Sequence, residues 1–351
     1  MELRPASTII ESLNPIWQRL LQQSSIGVED NFFDLGGDSL LAAELFNEIS
    51  KSFGRTLPPV MIYQAPTIAA LAAVLEQPVA PRFPPLVQLK AGTQEPPVFI
   101  AHGMGGNVMD FYQLVRHIDS PHAIHGMQAK GVDGVDEPFE RIEDMAQFFL
   151  EAIKERQPRG PYLLVGYSLG GLVALEIAQR LSGHGEEVKL LAMLETYPHR
   201  RYLSLQQRVR LLARVSRHHA TTLLRLPVSE ALFYLTNPAE RLLYVPRDGR
   251  GSVRNQPPSH DMFAAATERM RYCAYLALTR YRPRFYGGKI KFVRAEISLR
   301  FPHNPTAIWR NLADQFEVDT VPGDHHGIIT THFESLAGVL SNYIREAVSQ
   351  P

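Results

Sequence analysis

Two serines in this chain stand in settings where a hydroxyl can do chemistry. One lies in Leu35-Gly36-Gly37-Asp38-Ser39-Leu40-Leu41, the other in Gly166-Tyr167-Ser168-Leu169-Gly170-Gly171. Ser39 falls where a turn opens into an amphipathic pattern. Ala42, Leu45, Phe46, Ile49 and Phe53 recur three to four apart, and the serine lies off that stripe, which predicts a solvent-facing position. A helix start offers free amides and partial positive charge, which suit a phosphodiester on the hydroxyl. The same spacing also describes an ordinary N-cap serine. Ser168 follows the apolar run Tyr162–Val165 and precedes a helical pattern over Leu172–Leu181. Strand, tight turn and helix form the setting of a nucleophile elbow, with flanking glycines relieving the crowding of a strained turn.

A serine hydroxyl is a weak nucleophile and needs a base held in one tautomer. Of the thirteen histidines, His325 in Pro322-Gly323-Asp324-His325-His326-Gly327 follows the last predicted strand, where an alternating strand–helix architecture with this elbow places its base. Oxyanion stabilisation needs two backbone N–H groups beside Ser168. Leu169 supplies one by adjacency, and the loop after the first core strand, His102-Gly103-Met104-Gly105-Gly106-Asn107, is the expected source of the other. Those glycines do not make a dinucleotide site, because Val108 occupies the third glycine position of Gly-x-Gly-x-x-Gly. The loop is also too poor in acids and cysteines to hold a metal, and no metal is expected.

These groups must be carried by elements that differ along the chain. Up to about Gln77 the pattern predicts short helices over Ile10–Gln23, Ser39–Phe53 and Ile68–Glu76. Residues 78–85 are proline-rich and read as a linker, followed by an edge strand at Leu86-Val87-Gln88-Leu89. Strands are then expected at Val98–Ala101, Ala123–Met127, Tyr162–Val165, Leu190–Leu194, Lys289–Val293 and Phe316–Val321, with helices between most of them. That alternation predicts a mostly parallel sheet with helices on both faces. A helical insert over about 199–260 interrupts it.

Length and charge narrow the class. The chain has 351 residues, 45% of them apolar, enough for two cores, and a net charge of zero. The charge is uneven: residues 1–78 carry 4 Lys/Arg against 9 Asp/Glu, whereas residues 200–300 carry 20 against 6. No nucleic-acid motif accompanies the basic segment, which reads as solvated helix faces. One cysteine, Cys273, excludes an intrachain disulfide and is expected in the core. No run is long and apolar enough for a membrane span, and the N-terminus has no signal-peptide core, so a cytoplasmic location is expected.

The first serine motif, with Asn31-Phe32-Phe33-Asp34 upstream and Gln64-Ala65-Pro66-Thr67 downstream, resembles the thiolation (peptidyl carrier) domains of nonribosomal peptide synthetases. The resemblance implies that Ser39 receives 4′-phosphopantetheine from coenzyme A through a phosphopantetheinyl transferase. It also implies upstream adenylation and condensation domains that supply the acyl or peptidyl chain. From about residue 86 the chain resembles a type I thioesterase domain with the α/β-hydrolase fold. Pro-Gly-Asp-His is similar to that family's histidine loop and supports His325. The family's first-strand loop points to Met104 for the second oxyanion amide, and its lid falls at about 199–260. The family commonly places an aspartate after the strand following the nucleophile helix; here that residue is Glu195. The wider fold more often takes its acid after the penultimate strand, which offers Glu296. The expected organisation is a small all-α, four-helix carrier domain at 1–77, a linker at 78–85 and a thioesterase domain at 86–351. The expected function is release of a carrier-bound chain by hydrolysis or macrocyclisation. The alternative, prompted by glutamate where aspartate is usual, is a scaffold that docks the carrier beside a weak or inactive hydrolase.

Overall fold

A computed structural model describes residues 5–55, 57–77, 83–132, 134–225, 262–298, 301 and 304–349. Residues 78–82 of the expected linker and 226–260 of the expected lid lie outside the described residues.

The N-terminal unit is helical: α1 spans Ala6–Leu21, α2 Ser39–Phe53 and α3 Ile68–Glu76, with a 3-10 turn at Pro59–Tyr63 as the fourth helical element. Local signals set the ends of α2 and α3. The Asp38 carboxylate accepts from the amides of Leu40 and Leu41 at 2.9 Å, and α2 stops at Gly54, whose φ of 63° suits a residue without a Cβ. Thr67 caps α3 by accepting from the Ala70 amide at 3.1 Å. Ala42, Leu45, Phe46 and Ile49 are buried against Leu13 and Trp17 of α1 and Leu71 of α3, so the stripe read from the sequence is the core of this unit.

The remainder is built on one seven-stranded sheet in the order β1-β3-β2-β4-β5-β6-β7. The strands are β1 Leu86–Lys90, β2 Gln94–Ala101, β3 His122–Met127, β4 Tyr162–Tyr167, β5 Val188–Leu194, β6 Tyr286–Ile297 and β7 Ala313–Asp324. β1 pairs antiparallel with β3; every other neighbour is parallel. Helices α4 (Tyr112–His117), α5 (Ile142–Arg156), α6 (Leu169–Gly183), α7 (Leu205–Arg225), α8 (Met262–Arg280) and α9 (Phe333–Ser349) surround it. Alternate residues of each strand enter opposite cores. Val98, Ile100, Leu163 and Val165 pack with α4 and α9, while Phe99, Ala101, Tyr162 and Leu164 pack with α5 and α6. Both faces are therefore covered, as a parallel sheet requires. Cys273 is buried within α8. Among the described residues no helix is long and apolar enough to cross a membrane.

Candidate active site

β4 ends at Tyr167 and α6 begins at Leu169, so Ser168 alone makes the turn, with φ 55° and ψ −116°. A non-glycine residue at positive φ is strained, and the strain persists because its surroundings fix the backbone. The Ser168 amide donates to the Leu194 carbonyl at 2.8 Å, tying the turn to the end of β5. The two flanking glycines are there for close approach. A Cβ on Gly166 would sit 2.2 Å from the Gly170 oxygen, and one on Gly170 would sit 2.4 Å from the carbonyl oxygens of both Ala101 and His102. Gly170 thus lets the start of α6 press against the end of β2 and brings the 102–107 loop beside Ser168.

The two expected oxyanion donors lie on the two segments that meet at Gly170. Leu169 is the first residue of α6, so its amide has no intrahelical acceptor. Met104 lies in the turn that follows β2, three residues beyond the strand end against which Gly170 packs. His102, just before it, is buried and bonds through Nδ1 to the Gly103 carbonyl at 2.6 Å; burial pushes its imidazole down to about 4.

His325 follows β7 and meets the elbow from the other side. Its Nε2 lies 3.1 Å from Ser168 Oγ, and its Nδ1 lies 3.4 Å from Glu195 Oε2. The first is a good hydrogen bond and the second a long one. The arrangement fits a tautomer with the proton on Nδ1, pointing to the carboxylate, and Nε2 free to accept from the serine. Glu195, with a fully buried side chain, sits one residue past β5 at φ 46°. Its amide donates to the Val293 carbonyl at 2.8 Å, and its Oε1 accepts from the Ala295 amide at 2.8 Å. One carboxylate oxygen is thereby anchored on β6 and the other faces the imidazole. Glu296, the alternative acid, is exposed on β6. The Ala295 amide beside it is held by Glu195, so the penultimate strand clamps the Glu195 carboxylate.

Two rings not singled out in the sequence hold the histidine. The Tyr167 ring stacks on the imidazole at 5.1 Å and 27°, and its hydroxyl donates to the His325 carbonyl at 2.7 Å. Phe301 packs on the imidazole at 4.8 Å and stacks on Tyr197 at 4.7 Å. Tyr167 lies inside the serine motif, so its position was a usable signal; Phe301 had none. Arg214 of α7 donates to the carbonyls of Ser298 and Phe301 at 3.1 and 3.0 Å. The first helix of the expected lid is therefore tied to the segment that covers the histidine.

A family model for the thioesterase domain matches residues 96–344, more than half of the chain. The chain belongs to the thioesterase domain family. A second family model, for the phosphopantetheine attachment site, matches residues 12–75, so a carrier domain precedes the thioesterase domain. Curated relatives include a dimodular nonribosomal peptide synthase of Bacillus subtilis, 38% identical over 189 residues, and an indigoidine synthase of Dickeya dadantii, 37% identical over 194 residues. The matches cover 54% and 53% of this chain but 8% and 13% of those relatives, so the chain spans a small part of the proteins it resembles. Among solved structures, a holo four-domain nonribosomal peptide synthetase bound to AMP and glycine aligns over 100% of this chain and 27% of its own, with TM-score 0.58 and 24% identity, which shows a shared fold. The carrier domain fits its prosthetic group on local grounds. Residue 39 opens α2 at the positive end of the helix dipole, and the adjacent Leu40 is 68% exposed.

Proposed function

We propose that this chain unloads its own carrier: an acyl or peptidyl chain held as a thioester on the arm at Ser39 passes to Ser168 and leaves by hydrolysis or macrocyclisation. The observation that carries the reading is the Ser168–His325–Glu195 line, with both hydrogen bonds running through one imidazole. The 4′-phosphopantetheine, attached at Ser39 by a phosphopantetheinyl transferase using coenzyme A, supplies the thiol that bears the chain.

The residues act as follows. His325 Nε2 accepts the Ser168 proton as Oγ attacks the thioester carbonyl, and Glu195 stabilises the imidazolium through Nδ1–H. The amides of Met104 and Leu169 stabilise the oxyanion. His325 then returns the proton to the departing sulfur, leaving an ester on Ser168. In the second half, His325 takes a proton from water, giving a free acid, or from an amine or hydroxyl of the bound chain, giving a ring. The divisions at 77 and 86 belong to the same proposal, as do adenylation and condensation domains acting upstream to supply the chain. The scaffold alternative draws no support from Glu195, whose longer side chain still faces the base.

Labelling with a fluorophosphonate serine reagent tests the nucleophile. We expect Ser168 to be labelled and His325→Ala to slow labelling by about 10³-fold or more. Equal labelling of the Ser168→Ala chain contradicts the assignment.

A further inference from the structure

The carrier and thioesterase domains meet at an aromatic contact that no expectation anticipated. Phe33, in the turn before Ser39, stacks on Tyr112 at the start of α4, with centroids 4.6 Å apart and planes at 28°. Tyr63, ending the 3-10 turn, packs on Phe33 at 4.9 Å and reaches Tyr112 edge-on at 6.3 Å. Arg116, one helical turn on, lies over the Tyr112 ring at 5.4 Å, bonds its hydroxyl, and donates to the Phe33 carbonyl at 3.5 Å. Rings continue inward: Phe111, next to Tyr112, packs edge-on against Tyr167, and Tyr167 stacks on His325.

One group in this contact is out of place for a permanent interface. The Tyr63 hydroxyl is buried and has no hydrogen-bond partner among the described residues. A buried, unpartnered hydroxyl works against the docked state and regains its hydrogen bonds to water when the domains part.

We infer that Phe33, Tyr63, Tyr112 and Arg116 form a releasable clasp: the aromatic stack docks the carrier domain on the thioesterase domain, and the unpartnered Tyr63 hydroxyl keeps that docking reversible. The inference rests on the unloading function proposed above and adds to it the surface through which the carrier engages. A reversible contact suits a carrier that must also meet the domain that loads it. The chemistry also fixes opposite signs for two conservative changes. Removing the ring of Tyr112 weakens docking, whereas removing only the hydroxyl of Tyr63 strengthens it.

Hydrogen exchange in the full-length Ser168→Ala chain reads docking without turnover. Tyr112→Ala should speed exchange in peptides covering 31–37 and 59–64 about fivefold, and Phe33→Ala should match it in 59–64. Tyr63→Phe should slow exchange there about threefold. In the chain with Ser168 intact, Tyr112→Ala should slow loss of acyl mass from the loaded arm about fivefold. Cleavage of a soluble acyl N-acetylcysteamine thioester should stay unchanged, which separates a docking loss from a misfolded hydrolase. Unchanged exchange in Tyr112→Ala, or faster exchange in Tyr63→Phe, overturns the clasp even if the thioesterase is active. The expected exchange pattern in a chain that cleaves neither thioester upholds the clasp and removes the unloading function instead.

Discussion

Glu195 reaches its histidine by a route that accommodates a side chain one methylene longer than aspartate. The backbone turns to φ 46°, and the extra length is taken up by folding Oε1 back onto the Ala295 amide. One carboxylate oxygen is thus held by β6 while the other faces an imidazole that follows β7. Glu195→Ala removes the partner of Nδ1–H and should lower kcat by about 10²–10⁴-fold, whereas Glu296→Ala, at an exposed position, should leave it within about twofold. Steady-state rates on a soluble acyl thioester decide between them; the reverse order would make Glu296 the acid. His102 gives a second residue-scale prediction. Its imidazole is held neutral by burial and protonates at about 4, against about 6.5 in the unfolded chain. Between those values the unfolded state binds more protons, so this contribution is complete above about pH 6.5 and is lost as pH falls toward 4. The loss amounts to about 3 kcal/mol, and His102→Gln should flatten denaturant midpoints measured across that window. An unchanged slope would mean that His102 does not titrate as its burial dictates.

At the scale of elements, the site depends on how closely α6 approaches β2. A Cβ on Gly170 meets two backbone carbonyls, which cannot yield as a flexible side chain can. Gly170→Ala should cost about 2 kcal/mol or more and push the start of α6 away from the end of β2, with kcat falling more than the stability loss explains. A thermal melt and a rate measurement on the same preparation check this; an active, fully stable variant would contradict it. The sequence marked some elements to the residue and others only by their cores. Ser39–Phe53 and Ile68–Glu76 were legible end to end because Asp38, Gly54 and Thr67 are local signals acting through their own neighbours. The nucleophile helix was read from Leu172, yet it starts at Leu169, because its first turn is set by the elbow and not by apolar periodicity. β6 and β7 each run twelve residues, well beyond their apolar centres, since pairing with each other carries them on through polar positions.

At the scale of the molecule, Ser168 and His325 were visible as motifs. Glu195 was preferred because of a family resemblance, and no spacing in this chain singled it out. What stayed hidden is tertiary. Nothing along the sequence links Phe301 to His325, or Phe33 to Tyr112 seventy-nine positions later. Phe33 stacks on Tyr112, while the neighbouring Phe111 packs on Tyr167, which in turn stacks on His325. The most direct measurement is intact-protein mass against time. A phosphopantetheinyl transferase loads an acyl-phosphopantetheine onto the apo chain, with Ser168→Ala and Ser39→Ala in parallel. The account predicts that the chain gains the acylated arm and then loses only the acyl mass, that Ser168→Ala keeps it at least 10³-fold longer, and that Ser39→Ala gains nothing. An arm that sheds its acyl group equally fast with and without Ser168 would contradict the central claim that this chain unloads its own carrier through that serine.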